Sequence, residues 1–133
     1  MPDKGHVGRR YQATGQVVDG SAAAAFAQAI AGSDEVFSPG AVPPTYAAFY
    51  CLFPTLYQLF GDAEVGVNLA GLVHGEQSFE WPAPVRGGDV IDATAVIASV
   101  EEKRGMTFLG IDHEAHKQTG ETVCRGHSLM IIR

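Results

Sequence analysis

Basic residues are scarce in this sequence. Nine lysines and arginines stand against fifteen aspartates and glutamates, for a net charge of -6. The acidic residues are scattered, so a broad basic surface for nucleic acid is excluded. Long apolar runs are missing as well. The nearest, 41–60, carries Pro43, Pro44, Pro54 and Gln58, and none reaches the ~18 residues of a membrane span. The first eleven residues, MPDKGHVGRRY, are polar and lack the apolar centre of a signal peptide. These features predict a cytoplasmic protein that does not engage a membrane. Cysteine occurs twice, as Cys51 and Cys124, with no metal-ligand spacing between them and no nearby histidine that would complete a zinc site. Both lie in apolar runs and read as small buried side chains. The glycines of residues 85–89, VRGGD, do not follow a strand-to-helix pattern, so a phosphate-binding loop is not expected. No nucleophile-elbow motif is found either. Neither a cofactor nor a metal is expected.

What is present is enough for one domain, residues 1–133, with a real core. Hydrophobic residues make up 46% of the chain, which argues against disorder. Residues 11–18 predict a short strand. Asp19 or Ser21 can cap a helix over 22–31, with Phe26 and Ile30 on one face. The stretch 32–44 reads as a loop from its Pro, Gly, Ser and Asp content. The segment 44–60 has Tyr46, Phe49, Tyr50 and Phe53 at helical spacing. Pro54 has no N–H to give, so this segment is expected as two short helices or one kinked there. Its aromatic face, Phe49 included, is expected to pack on the sheet as core. From Gly75 onward the period changes to two. Residues 75–81, 90–100, 106–115 and 122–132 read as four strands joined by short turns, which implies antiparallel pairing. Helices gathered on one face of an antiparallel sheet make an α+β domain.

Of the five histidines, His113 and His116 sit at i, i+3 in a strand-like segment. That spacing sends them to opposite faces, against a metal pair. His127 lies inside the last strand and reads as structural. His74 differs, because Gly75, Glu76 and Gln77 follow it at the start of a strand. A carboxylate and an amide beside an imidazole suit acid–base or binding work. The same residues also suit a hydrogen-bonded turn that opens the strand, and both readings stay open here.

Residues 72–89, LVHGEQSFEWPAPVRGGD, resemble the N-terminal half-domain of the (R)-specific enoyl-CoA hydratases of the MaoC-like group. That half carries Leu-His-Gly-Glu-Gln, matched here by Val73, His74, Gly75, Glu76 and Gln77. Pro84 and Gly88-Asp89 follow in the expected place, and Pro44-Thr45-Tyr46 looks like the entry to its central helix. The chain is also similar to the non-catalytic small subunits of (3R)-hydroxyacyl thioester dehydratases, over nearly its whole length. The resemblance implies a hot-dog fold, a curled antiparallel sheet wrapped around a central helix. One departure matters most. Active members of the group carry Asp-x-Asn-Pro-Leu/Ile-His before the central helix. The corresponding stretch here, GSDEVFSPGAVPPTY, offers Asp34 but neither Asn-Pro nor a histidine.

The resemblance therefore implies a chain with no catalytic residues of its own, working beside a catalytic MaoC-like subunit. His74, Gly75, Glu76 and Gln77 would bind substrate, and Tyr46, Phe49, Tyr50 and Phe53 would line an acyl pocket. The substrate would be an acyl-CoA or an acyl-carrier-protein thioester, although nine cations leave few for the phosphates of a free acyl-CoA. Two other readings remain. One is a self-sufficient homodimeric hydratase or acyl-CoA thioesterase, with Glu76 or Asp34 as its base. The other is an acyl-binding module without chemistry. In each case a lone curled sheet leaves an edge to be paired, and the sparsely charged run 90–100 or its neighbour is the expected seam.

Overall fold

The computed structural model describes residues 1–31 and 41–133. Strand β1 (Arg10–Val17) is followed by helix α1 (Gly20–Ala31), a central helical segment, and strands β2 (Leu72–Glu80), β3 (Val90–Lys103), β4 (Met106–Lys117) and β5 (Thr122–Ile132). All pairings are antiparallel, in the order β1-β3-β4-β5-β2. This is the hot-dog architecture expected from the sequence. Strand β3 lies between β1 and β4, so 90–100 is not an edge and cannot be the seam. Its neighbour β1 is one edge, and β2 is the other. The β3–β4 hairpin is tight because Arg104 and Gly105 both take positive φ, 55° and 75°, as a two-residue primed turn requires.

Helix α1 is capped by Asp19, whose Oδ1 accepts from the backbone N–H of Ser21 and Ala22 at 2.8 and 3.2 Å. It buries Ala23 and Ala27, while Ile30 is exposed and Phe26 half-buried. The predicted Phe26/Ile30 face is therefore not the buried one. Small alanines let the helix sit close, and its large side chains turn away.

The central segment passes through a 3-10 turn (Pro44–Tyr46), a π-turn (Ala48–Leu52) and helix α2 (Phe53–Phe60). The break expected at Pro54 has a concrete form. Pro54 stands in the first turn of α2, where a missing N–H costs nothing. The N–H of Phe53 reaches back to the Ala48 carbonyl, five residues earlier. The Tyr50 carbonyl, which Pro54 cannot serve, accepts instead from Gln16 Nε2 of β1 at 2.8 Å.

Leu52, Leu56 and Leu59 face the sheet and pack with Tyr11, Ile97, Leu109, Ile111, Met130 and Ile132. Tyr50 and Cys51 join Ile91, Ala115, Val123 and Cys124 in a second cluster. Phe49 is 47% exposed, so the expectation that it belongs to the core is corrected. Among the described residues, no helix is long and apolar enough to cross a membrane.

Candidate functional site

The residues singled out in the sequence fall in two places. The first is edge strand β2. Its register against β5 shifts between His74 and Glu76, so Gly75 forms a bulge. Gln77 pairs with Ser128, and His74 with Met130, both inward-facing positions of β5. His74 and Gln77 thus share the concave, helix-bearing face, and Glu76 takes the opposite one. The structure brings two of the four predicted residues together, explains Gly75 as the bulge, and separates Glu76 from both.

His74 Nε2 lies 3.0 Å from Gln77 Oε1. Ser128 Oγ donates to the same Oε1 at 2.5 Å, and His113 Nε2 lies 2.8 Å from Ser128 Oγ. Gln77 Nε2 donates to the Ser78 carbonyl at 3.0 Å. A polar chain therefore runs from the sheet interior, at His113 and Ser128, to exposed His74. His113 is only 3% exposed. Burial holds its pKa down to about 4, against a raising effect of Asp112 and with further lowering by His127 and His74. It is neutral near pH 7, and its Nδ1 has no partner among the described residues. This run of side chains contains no carboxylate, so it brings together no carboxylate–imidazole acid–base pair.

His113 and Ser128 were not picked out as site residues from the sequence. Strand parity is the signal that marks them: His113 alternates with inward Ile111 and Ala115, and Ser128 with Met130 and Ile132. His127, read as structural, lies on the outer face with its Nδ1 2.7 Å from Asp112 Oδ1.

The second place is the central helix. Tyr46, Phe49 and Phe53 form one aromatic stripe, with ring centroids 4.9 Å apart for Tyr46–Phe49 and 5.7 Å for Phe49–Phe53. Two residues missed in the sequence extend it. Phe26 of α1 meets Tyr46 and Phe49 edge-on at 5.5 and 5.6 Å, and Tyr57 stacks on Phe53 at 5.8 Å. Tyr50, only 4% exposed, packs instead with the second core cluster, and burial pushes its phenol pKa up. Three of the four predicted pocket residues are thus together, and the fourth is core. Asp34 and the stretch 32–40 lie outside the described residues. Among the described residues, no group of three or more His, Cys, Asp or Glu is placed to hold a metal ion.

Comparison with known proteins bears on the whole arrangement. Residues 5–125 match the model of the FAS1-like, dehydratase domain region family. A UPF0336 protein of Streptomyces coelicolor is 32% identical over 91 residues, 68% of this chain and 60% of that protein's length. The truncated HadBC (3R-hydroxyacyl-ACP dehydratase) complex of Mycobacterium tuberculosis contains a chain of similar fold. The TM-score is 0.77 at 20% identity, covering 95% of this chain and 96% of that one. HtdX of the same organism aligns at a TM-score of 0.69 and 20% identity, over 94% of this chain and 51% of HtdX. With the five-stranded curl, the central helix and the match across 5–125 in hand, the chain shares the hot-dog fold of solved MaoC-like dehydratases and belongs to the FAS1-like dehydratase region family.

Proposed function

We propose that this chain is the non-catalytic subunit of a heteromeric (R)-specific enoyl hydratase/(3R)-hydroxyacyl thioester dehydratase. One observation carries the reading: a family member that keeps the His74–Gln77 pair has no histidine between α1 and the central helix. Acid–base work on the 3-hydroxyl would then fall to a catalytic MaoC-like partner. This chain would contribute the aromatic stripe as one wall of the acyl site and His74 with Gln77 as its polar end. The thioester carrier would be coenzyme A or a carrier protein.

The edge strand β2 supports docking. Among the described residues no strand pairs with its outer backbone groups, and Leu69, Val73 and Trp81 are exposed on or beside it. Glu76 and Glu80, both exposed on the same strand, would repel their own copies at a homodimeric seam. A partner carrying basic residues on its edge fits better. The thioesterase reading loses support in the form that uses Glu76 as base, because Glu76 points away from His74 and Gln77; the form that uses Asp34 falls outside the described residues.

The test is hydration of trans-2-octenoyl-CoA by the purified chain, by a catalytic MaoC-like subunit, and by the two together. The chain alone should be inactive, and the mixture should exceed the catalytic subunit alone. Sustained turnover by the chain alone would reject the reading.

A further inference from the structure

The sequence has two cysteines, more than half the chain apart, and the fold brings both into one buried cluster. Cys51 lies in the π-turn of the central helix and Cys124 on β5. Both are free thiols and 0% exposed, packed with Tyr50, Ala115 and Val123. Their hydrogen bonds run in one direction. The Cys51 S–H donates to the Cys124 sulfur, and the Cys124 S–H donates to the Arg125 carbonyl at 3.8 Å. The bond to Cys124, and then burial, hold Cys51 as a thiol; the same bond makes Cys124 the more readily ionised of the two.

The pair crosses from helix to sheet where the helix is held from outside. Pro54 cannot donate to the Tyr50 carbonyl, and Gln16 of β1 serves it instead at 2.8 Å. The π-turn closes over five residues, with the Phe53 N–H on the Ala48 carbonyl. Cys51 therefore sits beside a carbonyl whose bond is made by a side chain of another element. Opening of this turn is the natural way for a small oxidant to reach the buried thiols.

We propose that Cys51 and Cys124 are a redox pair, which a peroxide joins in a reversible disulfide that ties the central helix to β5. The Cys124 thiolate attacks hydrogen peroxide, giving a sulfenic acid and hydroxide. The Cys51 sulfur then attacks that sulfur, its proton leaves with the departing oxygen as water, and the S–S bond closes. Two thiols and one peroxide thus give one disulfide and two waters. The link removes freedom from the unfolded chain and so stabilises the fold. It goes beyond the subunit reading above and does not depend on it.

The test treats the folded full chain with hydrogen peroxide and follows intact mass, peptide maps and thermal unfolding. The chain should lose two hydrogens, yield a Cys51–Cys124 linked peptide, and regain free thiols in dithiothreitol. Closure should raise Tm by about 10 °C. Cys51→Ala should stop at a sulfenic acid on Cys124, which dimedone traps. Gln16→Ala, which releases the Tyr50 carbonyl, should speed closure about tenfold. Two free thiols in the folded chain, at a peroxide dose that oxidises the urea-unfolded chain, would overturn the pair. Sulfinic acid on Cys124 without a link, or a link only between two chains, would overturn it equally. A fall in Tm on closure would overturn the stabilising tie, and an unchanged rate in Gln16→Ala would overturn the π-turn as the way in.

Discussion

The two edges of the sheet have the same rank in the topology and are treated in opposite ways. Strand β1 is tied down. Gln16 holds the Tyr50 carbonyl, and Gln58 Nε2 of α2 donates to the Gln12 carbonyl at 2.6 Å. Arg9 and Tyr11 bind Asp62 just past α2 at 2.7 and 2.8 Å. A bulge between Ala13 and Gln16 and the N–H of Gly15 on Asp92 Oδ1 further spoil it as a template. Strand β2 spends its inward polar side chains on one another and on the interior pair Ser128 and His113. One edge is committed to holding the central helix; the other holds no helix, and it is the edge proposed here to dock a partner.

The largest expected effect comes from acid. An unfolded chain protonates His113 near the ordinary value of 6.5, while the folded chain resists down to about 4. Stability should therefore be full above pH 6.5 and fall by about 3 kcal/mol on the way down to pH 4. His113→Leu should flatten that part of the profile in urea titrations. An unchanged profile would mean that the interior end of the β2 chain is not buried as described.

On the β1 side, Gln16→Ala leaves the Tyr50 carbonyl orphaned beside Pro54, at a cost of about 2 kcal/mol. A loss below a few tenths would show that β1 does not hold the helix through this bond. Ser128→Ala removes one hydrogen bond to Gln77 and strands the His113 N–H, for about 1–2 kcal/mol. It should also reduce support for turnover by the mixture more than Gln16→Ala does. If Gln16→Ala is the more damaging to turnover, the two edges have been given each other's roles. Phe49→Ala should cost about 1 kcal/mol, less than a core ring, since the ring is half in solvent and what it loses is its contacts with Phe26, Tyr46 and Phe53. A cost of about 3–5 kcal/mol would restore it to the core.

Much of this was legible in the sequence. Alternation located the four C-terminal strands, and Asp19 and Pro54 gave the cap and the break. The face of the central helix was not legible, for a physical reason. Two columns at helical spacing compete, Tyr46/Phe49/Phe53/Tyr57 and Leu52/Leu56/Leu59. Both columns are apolar, so spacing alone does not say which meets the sheet: Tyr50, Leu52, Leu56 and Leu59 are buried, while Phe49 and Tyr57 turn out. The edge assignment was hidden too. Strand β2 pairs with β5, some fifty residues away, and periodicity says nothing about which distant strand is a neighbour. His74 and Gln77 stood out as a motif, whereas His113 and Ser128 are visible only through strand parity, which says that they face inward and not that they meet.

The proposed role requires β2 to be the docking edge of a subunit that needs a partner. Sedimentation velocity at micromolar concentration, on the chain alone and mixed with a catalytic MaoC-like subunit, tests it most directly. The mixture should sediment as a heteromer, and Val73→Glu, which adds a third acidic side chain to β2, should weaken that association more than Val17→Glu on β1. A 14.1 kDa monomer in both samples would contradict the account.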